Sequence, residues 1–254
     1  MIVYVAGYPK SGTTWITRLL GDALDCRTGG CMSSEDKREI ATEGHDRNPH
    51  MTVRKGHFVI SHEPTANPVT HAHRLNWKGL RPAEHRVILV VRDPRDIAVS
   101  GSYHWRVSIS RFINDMIRGT NGLRRIGPLC VYMKAWLEKH RNFAVPIVRY
   151  EDMLSSSRPL VRVLDQIGFD VSPRRIREAY DRQSFKKRRE HIMRRGQNYN
   201  LGKDFNLRFM RKGIAGDWRN HFNRAEAFET EAHFGDLLRY FNYESNPKWW
   251  KEIR

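Results

Sequence analysis

The chain has 254 residues, 39% of them hydrophobic, which suffices for one large domain with a sizeable core and argues against a disordered polymer. Lys and Arg number 45 against 28 Asp and Glu, a formal charge of +17. That excess sets up a field attractive to anions, whether nucleic acid, an anionic membrane, or an anionic cofactor and substrate, without choosing among them.

The first residues, 2–6, are apolar and only of strand length, and Tyr8-Pro9-Lys10 ends the run. With no basic segment before it, the run is a poor secretory signal. No stretch approaches the roughly 18 consecutive apolar residues of a membrane span. Cys26, Cys31 and Cys130 are an odd count with no disulfide framework, as in a reducing compartment. The expectation is a cytoplasmic protein.

Short β-branched runs alternate with longer helical patterns. Residues 2–6, 58–60, 87–91 and 144–148 read as buried strands, most clearly Val87-Ile88-Leu89-Val90-Val91. Trp15, Ile16, Leu19, Leu20 and Leu24 recur at helical spacing after the first strand. Leu129, Tyr132, Met133, Trp136 and Leu137 do so before the fourth, and Phe228, Phe234, Leu237, Leu238 and Phe241 near the end. Residues 26–57 read as a long loop or partly helical insertion, and 119–127 as a second irregular stretch. The alternation predicts a single α/β domain with a central, mostly parallel sheet flanked by helices, ligands binding beyond the carboxyl ends of the strands.

The segment Gly7-Tyr8-Pro9-Lys10-Ser11-Gly12-Thr13-Thr14-Trp15 follows a strand and opens a helix. Unpaired N–H groups and the positive dipole end gather at such a helix start. Gly12 permits close backbone approach, Ser11, Thr13 and Thr14 add hydroxyls, and Lys10 adds a charge; together these make a phosphate cradle. Gly7, Gly12 and Thr14 fit the P-loop spacing, but Thr13 stands where that motif has Lys. A P-loop-type nucleotide kinase is therefore the disfavoured alternative. A plain strand–turn–helix is the other.

Beyond the strongest strand comes Arg92-Asp93-Pro94-Arg95-Asp96-Ile97-Ala98-Val99-Ser100. It places an arginine fork on the ligand rim, with a helix starting near Pro94 and Ser100 about two turns in. Alternatively, Arg92 simply pairs with Asp93 or Asp96. Later, Arg211-Lys212-Gly213-Ile214-Ala215-Gly216-Asp217-Trp218 sets two cations before a glycine, a compact anion-binding turn. Among twelve histidines only His62 directly follows a candidate strand, where a neutral imidazole could take a proton near pH 7.

Three strings, in this order, resemble the PAPS-dependent sulfotransferases: Tyr8 to Trp15 is similar to the 5′-phosphosulfate loop, Arg92 to Ser100 to the 3′-phosphate motif, and Arg211 to Trp218 to the C-terminal R-K-G-x-x-G-D-W signature. The resemblance implies one sulfotransferase domain over residues 1–254. It implies PAPS (3′-phosphoadenylyl sulfate) as donor, 3′-phosphoadenosine 5′-phosphate as product, and no metal. It implies in-line transfer to a hydroxyl or amine of a small-molecule, lipid or sugar acceptor. Lys10, His62 and Ser100 are then the expected catalytic set. Lys10, Ser11, Gly12, Thr13 and Thr14 hold the 5′ side, and Arg92, Ser100, Arg211, Lys212 and Gly213 the 3′-phosphate. Trp15, Tyr150 (in Tyr150-Glu151-Asp152-Met153), Ser184 and Phe185 lie beside the adenine. Trp15 also fits the first helix's core stripe. For the base, the family's K-T-H-x-P string matches His62 and Pro64; Ile60 and Ser61 depart from it, leaving out the Lys that assists the transferring group. Glu63 is a second candidate base.

Three further features compete for attention. Cys26, Cys31, His45 and His50 mimic zinc spacing, but the segment lacks the apolar residues of a zinc module. Residues 174–195 hold ten Lys/Arg against three Asp/Glu, either a solvated helix face or an arm for nucleic acid or an anionic acceptor. The acceptor loops are expected at 26–57, 65–82 and 103–127, where Trp77, Trp105 and Phe112 either line a pocket or belong to the core. Arg106, Arg111 and Arg118 would tolerate negative charge there.

Overall fold

Five parallel strands form the centre of the computed structural model, which describes residues 2–30, 52–56, 59–61, 74–76, 80–81, 83–195 and 210–253. They are β1 (Ile2–Gly7), β2 (Arg27–Gly30), β3 (Thr52–Gly56), β6 (His85–Val91) and β7 (Ile147–Arg149), in the order β2-β3-β1-β6-β7. The remaining two, β4 (Val59–Ser61) and β5 (Arg74–Asn76), pair only with each other. From β1 the chain goes out to the edge strand β2, comes back to β3 beside β1, and then crosses to β6 and β7 on the other side of β1. The loop after β1 therefore lies where the strand order reverses, the place ligands occupy in open α/β sheets.

Side chains alternate across the sheet with the period of two that a pleated strand imposes. Val3, Val5, Ile88 and Val90 face α1 (Thr13–Leu24), α6 (Arg158–Gln166) and α7 (Pro173–Arg182), burying Ile16, Leu19, Leu20, Leu164 and Ile176. Ala6, Val87, Leu89 and Val91 face the other layer: α2 (Pro94–Trp105), α3 (Ile109–Arg118), α4 (Leu129–Phe143) and α9 (Arg224–Tyr240), with Trp136 wholly buried. Short α5 (Tyr150–Ser155) follows β7, and α8 (Phe185–Arg195) follows α7. Among the described residues, no helix is long and apolar enough to cross a membrane.

Four expectations are corrected. Residues 26–57 hold two strands of the main sheet, β2 and β3. Arg27-Thr28-Gly29-Gly30 and Thr52-Val53-Arg54-Lys55-Gly56 carry no apolar run, and backbone pairing, of β3 to β1 and of β2 to β3, makes them strands. The strand expected at 58–60 lies one residue later and outside the main sheet. The strand expected at 144–148 begins at Ile147, because α4 runs to Phe143 and Ala144 ends it in the left-handed region, φ 52. Most of 103–127 is helical: α2 ends at Trp105, Ser108 caps α3 by accepting from the Arg111 amide, and Asn121–Leu123 is a single 3-10 turn. Trp105 stacks on the buried Phe112, ring centroids 5.2 Å apart, so these two rings belong to the core.

The α2–α3 crossing depends on a missing side chain. A Cβ on Gly101 would lie 2.1 Å from the Phe112 ring. Gly101→Ala should therefore lower stability by about 1–3 kcal/mol, read as a shift in the urea midpoint without a change in slope.

Candidate active site

Three loops meet at the carboxyl edge of the sheet. In the first, the Ser11 amide donates to the Tyr8 carbonyl (3.1 Å), and Lys10 (φ 70) and Gly12 (φ 91) are both left-handed. For Lys10 this costs about 1–3 kcal/mol, strain that the surrounding contacts must hold. Tyr8 anchors the turn: its ring is buried and its hydroxyl donates to the Gly127 carbonyl at 3.0 Å. A Cβ on Gly12 would sit 2.5 Å from the Tyr150 ring. Thr13 and Thr14 open α1, whose first N–H groups look toward this turn. Trp15 is half-buried; its indole donates to the Gln183 carbonyl (2.8 Å) and meets Tyr150 edge-on at 5.7 Å.

The second loop leaves β6. Arg92 donates to the Lys10 carbonyl (3.0 Å) and the Ile214 carbonyl (3.4 Å), and its guanidinium lies 4.4 Å above the Tyr150 ring. Its Nε is buried without a hydrogen-bond partner. The Asp93 carboxylate caps α2 through the Arg95 amide (2.9 Å) and pairs with the Arg95 guanidinium (2.8 Å), so of the two partners considered for Arg92, Asp93 belongs to Arg95, while the Arg92 charge acts on Asp96. Arg95 is 1% exposed and also reaches Glu244 (3.2 Å) and the Tyr243 carbonyl (3.0 Å), lying 4.0 Å from the Trp218 ring and 4.7 Å from that of Trp249. Asp96 accepts the Gly216 amide at 2.7 Å and the Trp218 amide at 3.1 Å. Glu151 accepts from the Asp93 amide (2.9 Å) and the Tyr243 hydroxyl (3.0 Å), and burial raises its carboxyl above the ordinary value. Ser100 is half-buried, in the second turn of α2.

In the third loop, Gly213 (φ 65) and Gly216 (φ 77) are left-handed, and a Cβ on Gly213 would lie 2.3 Å from the Phe185 ring. Phe185 opens α8, directly after the half-buried Ser184. Arg211 and Lys212 both donate to Asp217, which also takes bonds from Asn220 (3.1 Å) and His221 (3.1 Å). Burial alone would raise the Asp217 carboxyl, but Lys212 and Arg211 outweigh it and hold the group well below the usual carboxylate range. The Arg211 guanidinium rests 4.5 Å from the Tyr103 ring.

The structure thus brings Lys10, Gly12, Trp15, Tyr150, Arg92, Phe185 and Gly213 into one cluster, with Arg211 and Lys212 directly before Gly213 in the third loop. His62 and Glu63 lie outside the described residues, as do Cys31, His45 and His50. Sequence reasoning missed the supporting roles of Arg95, Asp96, Asp217 and Tyr243. For Arg95, Asp96 and Asp217 the only signal was membership of the strings that carry Arg92 and Arg211, and Tyr243 lies in neither string. The basic stretch is partly committed internally: Arg182 pairs with Asp22 of α1, Arg175 with Asp25 at the end of that helix, and Arg189 donates to the Met210 carbonyl.

A carboxyl held below its unfolded value stabilises the fold above that value and loses the contribution as acid protonates it. Asp217→Asn should therefore be less stable than the wild type at pH 7. The gap should close as pH falls below the ordinary Asp value of about 3.9, as read from urea titrations at pH 7 and pH 3.

Comparison with known proteins bears on the family and the fold. The sequence profile described as "Sulfotransferase domain" matches residues 2–242. Mouse sulfotransferase 2A6 is 26% identical over 250 residues, covering 91% of this chain and 82% of its own length. Human sulfotransferase 2A1 is 24% identical over 255 residues, covering 93% and 84%. Among solved structures, mouse sulfotransferase SULT7A1 complexed with PAP superposes with a TM-score of 0.64 at 19% identity, over 99% of this chain and 88% of that one. Retinol dehydratase with androsterone and PAP gives 0.61 at 19%, over 93% and 80%. At those identities the superpositions speak to the fold alone. The profile match spans nearly the whole chain, and the chain belongs to the sulfotransferase family.

Proposed function

We propose that this chain moves a sulfuryl group from PAPS to a hydroxyl or amine of a small-molecule, lipid or sugar acceptor. The observation that carries the reading is Arg92: one guanidinium bonds to the Lys10 loop and to the Ile214 loop and keeps a buried Nε without a partner. A nucleotide with phosphates at both its 5′ and 3′ ends needs cations and amides from both loops at once. The glycines support the same reading. Gly12 and Gly213 are left-handed, and each is pressed against an aromatic ring where a Cβ would clash, so both loops keep bare backbone for close approach to an anion.

PAPS supplies an activated sulfuryl group on a phosphate leaving group. Lys10 stabilises charge on the bridging oxygen as that bond breaks, and the amides and hydroxyls of residues 11–14 hold the remaining oxygens. Arg92, Ser100, Arg211, Lys212 and Gly213 take the 3′-phosphate, while Trp15, Tyr150, Ser184 and Phe185 bound the adenine. His62, directly after β4, accepts the acceptor's proton as the new bond to sulfur forms, with Glu63 as the second candidate. Positioning and electrostatics do most of the catalysis, as in phosphoryl transfer.

Thermal stabilisation by 3′-phosphoadenosine 5′-phosphate, ADP and ATP, each with Mg²⁺ and with chelator, tests the donor. At a hundred times its dissociation constant a ligand adds about 2.7 kcal/mol, roughly 5–10 °C for a domain of this size. The expected shift is independent of metal and specific to the 3′-phosphate; a shift only with ATP and Mg²⁺ points to a kinase. In turnover assays Lys10→Ala should abolish activity with the melting temperature retained. His62→Ala should cut turnover more than nucleotide affinity, and an unchanged rate moves the base to Glu63. Arg211→Ala should weaken nucleotides bearing a 3′-phosphate and spare those without it.

A further inference from the structure

Arg92 directly follows β6 and Ser100 lies on α2, whereas Arg211 and Lys212 come from a loop more than a hundred residues later. Something must hold that loop over the correct face of α2. Asp96 is four residues after Arg92 and four before Ser100, so Asp96 and Ser100 share one helix face. Its carboxylate is 1% exposed, and its two oxygens each accept one backbone amide of the distant loop, Gly216 at 2.7 Å and Trp218 at 3.1 Å. Asp217, the residue between those amides, takes the Arg211 and Lys212 cations. The path from Asp96 to both cations is thus two hydrogen bonds long.

We infer that Asp96 is a positioning residue for 3′-phosphate selectivity: by holding the Gly216 and Trp218 amides it places Arg211 and Lys212 over Ser100, so that three segments converge on one phosphate. This rests on the donor reading given above. The chemistry of the contact is specific. Both partners are backbone N–H groups, which can only donate, so both side-chain oxygens must accept, and among side chains of this length only a carboxylate offers two acceptors. Asn presents an NH₂ to one of the two amides and leaves a buried donor facing a donor.

The test is direct binding of 3′-phosphoadenosine 5′-phosphate and of ADP, by calorimetry at one pH and salt, to wild type and Asp96→Asn. The wild type should prefer the 3′-phosphorylated nucleotide. Asp96→Asn should lose about tenfold or more of that affinity, the size of one unsatisfied buried donor, while ADP affinity stays within about twofold. A merely structural contribution would weaken both nucleotides together. Equal loss for both, or no loss, overturns the inference and leaves the donor reading standing; absence of any preference in the wild type overturns both. Should the variant fail to fold, hydrogen exchange on the wild type decides. The Gly216 and Trp218 amides should be protected like the core of α2 before any nucleotide is added, and exchange as fast as exposed Ala215 overturns the inference.

Discussion

A buried guanidinium is the interaction on which the rest of the molecule hangs. Arg95 enters the interior beside Asp93, between the rings of Trp218 and Trp249, and reaches Glu244 and the Tyr243 carbonyl. Taking one partner from such a pair leaves an uncompensated charge in low dielectric, typically about 3–5 kcal/mol of destabilisation. In return, the first turn of α2 is joined to two segments from the far end of the chain. The sheet alone could not do this, since among the described strands β7 is the last and ends at Arg149.

Within this frame, neighbouring residues of one short string have opposite duties. Arg92 bridges the Lys10 and Ile214 loops at the carboxyl edge of the sheet, while Asp93, Arg95 and Asp96 are buried in contacts within the protein. Tyr150 and Glu151 divide in the same way: the Tyr ring packs against Gly12 and under Arg92, and the Glu carboxylate holds the Asp93 amide and the Tyr243 hydroxyl. Ligand-facing cations need rigid orientation, and the adjacent residues supply it through buried contacts. The loop that carries Arg92 is thereby stiffened by the side chains nearest to it in sequence.

Legibility from sequence followed the physics of each signal. The β1 loop, the α2 start and the Gly213–Gly216 turn were readable because each is local: glycine at a left-handed φ, proline at N1, a cation beside a strand end. Strands β1 and β6 were readable from unbroken apolar runs buried on both faces. Strands β2 and β3 were not, because they are polar and glycine-containing and owe their conformation to pairing with a neighbour. Helix α3 was missed because its buried stripe is narrow, with Phe112, Ile113 and Met116 set among polar residues. Arg95 and Asp96 were seen as letters of a motif, but their partners lie about 120–150 residues away, and no local pattern encodes a contact of that span.

The carboxylate of Asp217 has a kinetic corollary. Arg211 and Lys212 share the single carboxylate of Asp217, which offsets one of their two charges, and salt screens the remainder over roughly 10 Å in solution. Long-range steering of an incoming anion is therefore shared with other basic groups of the chain, such as exposed Arg177, Lys186 and Lys187 on α7 and α8. On the proposed donor reading, Arg211 and Lys212 would exchange bonds now held by Asp217 for bonds to an arriving oxyanion, so capture by this loop would be a short-range partner exchange.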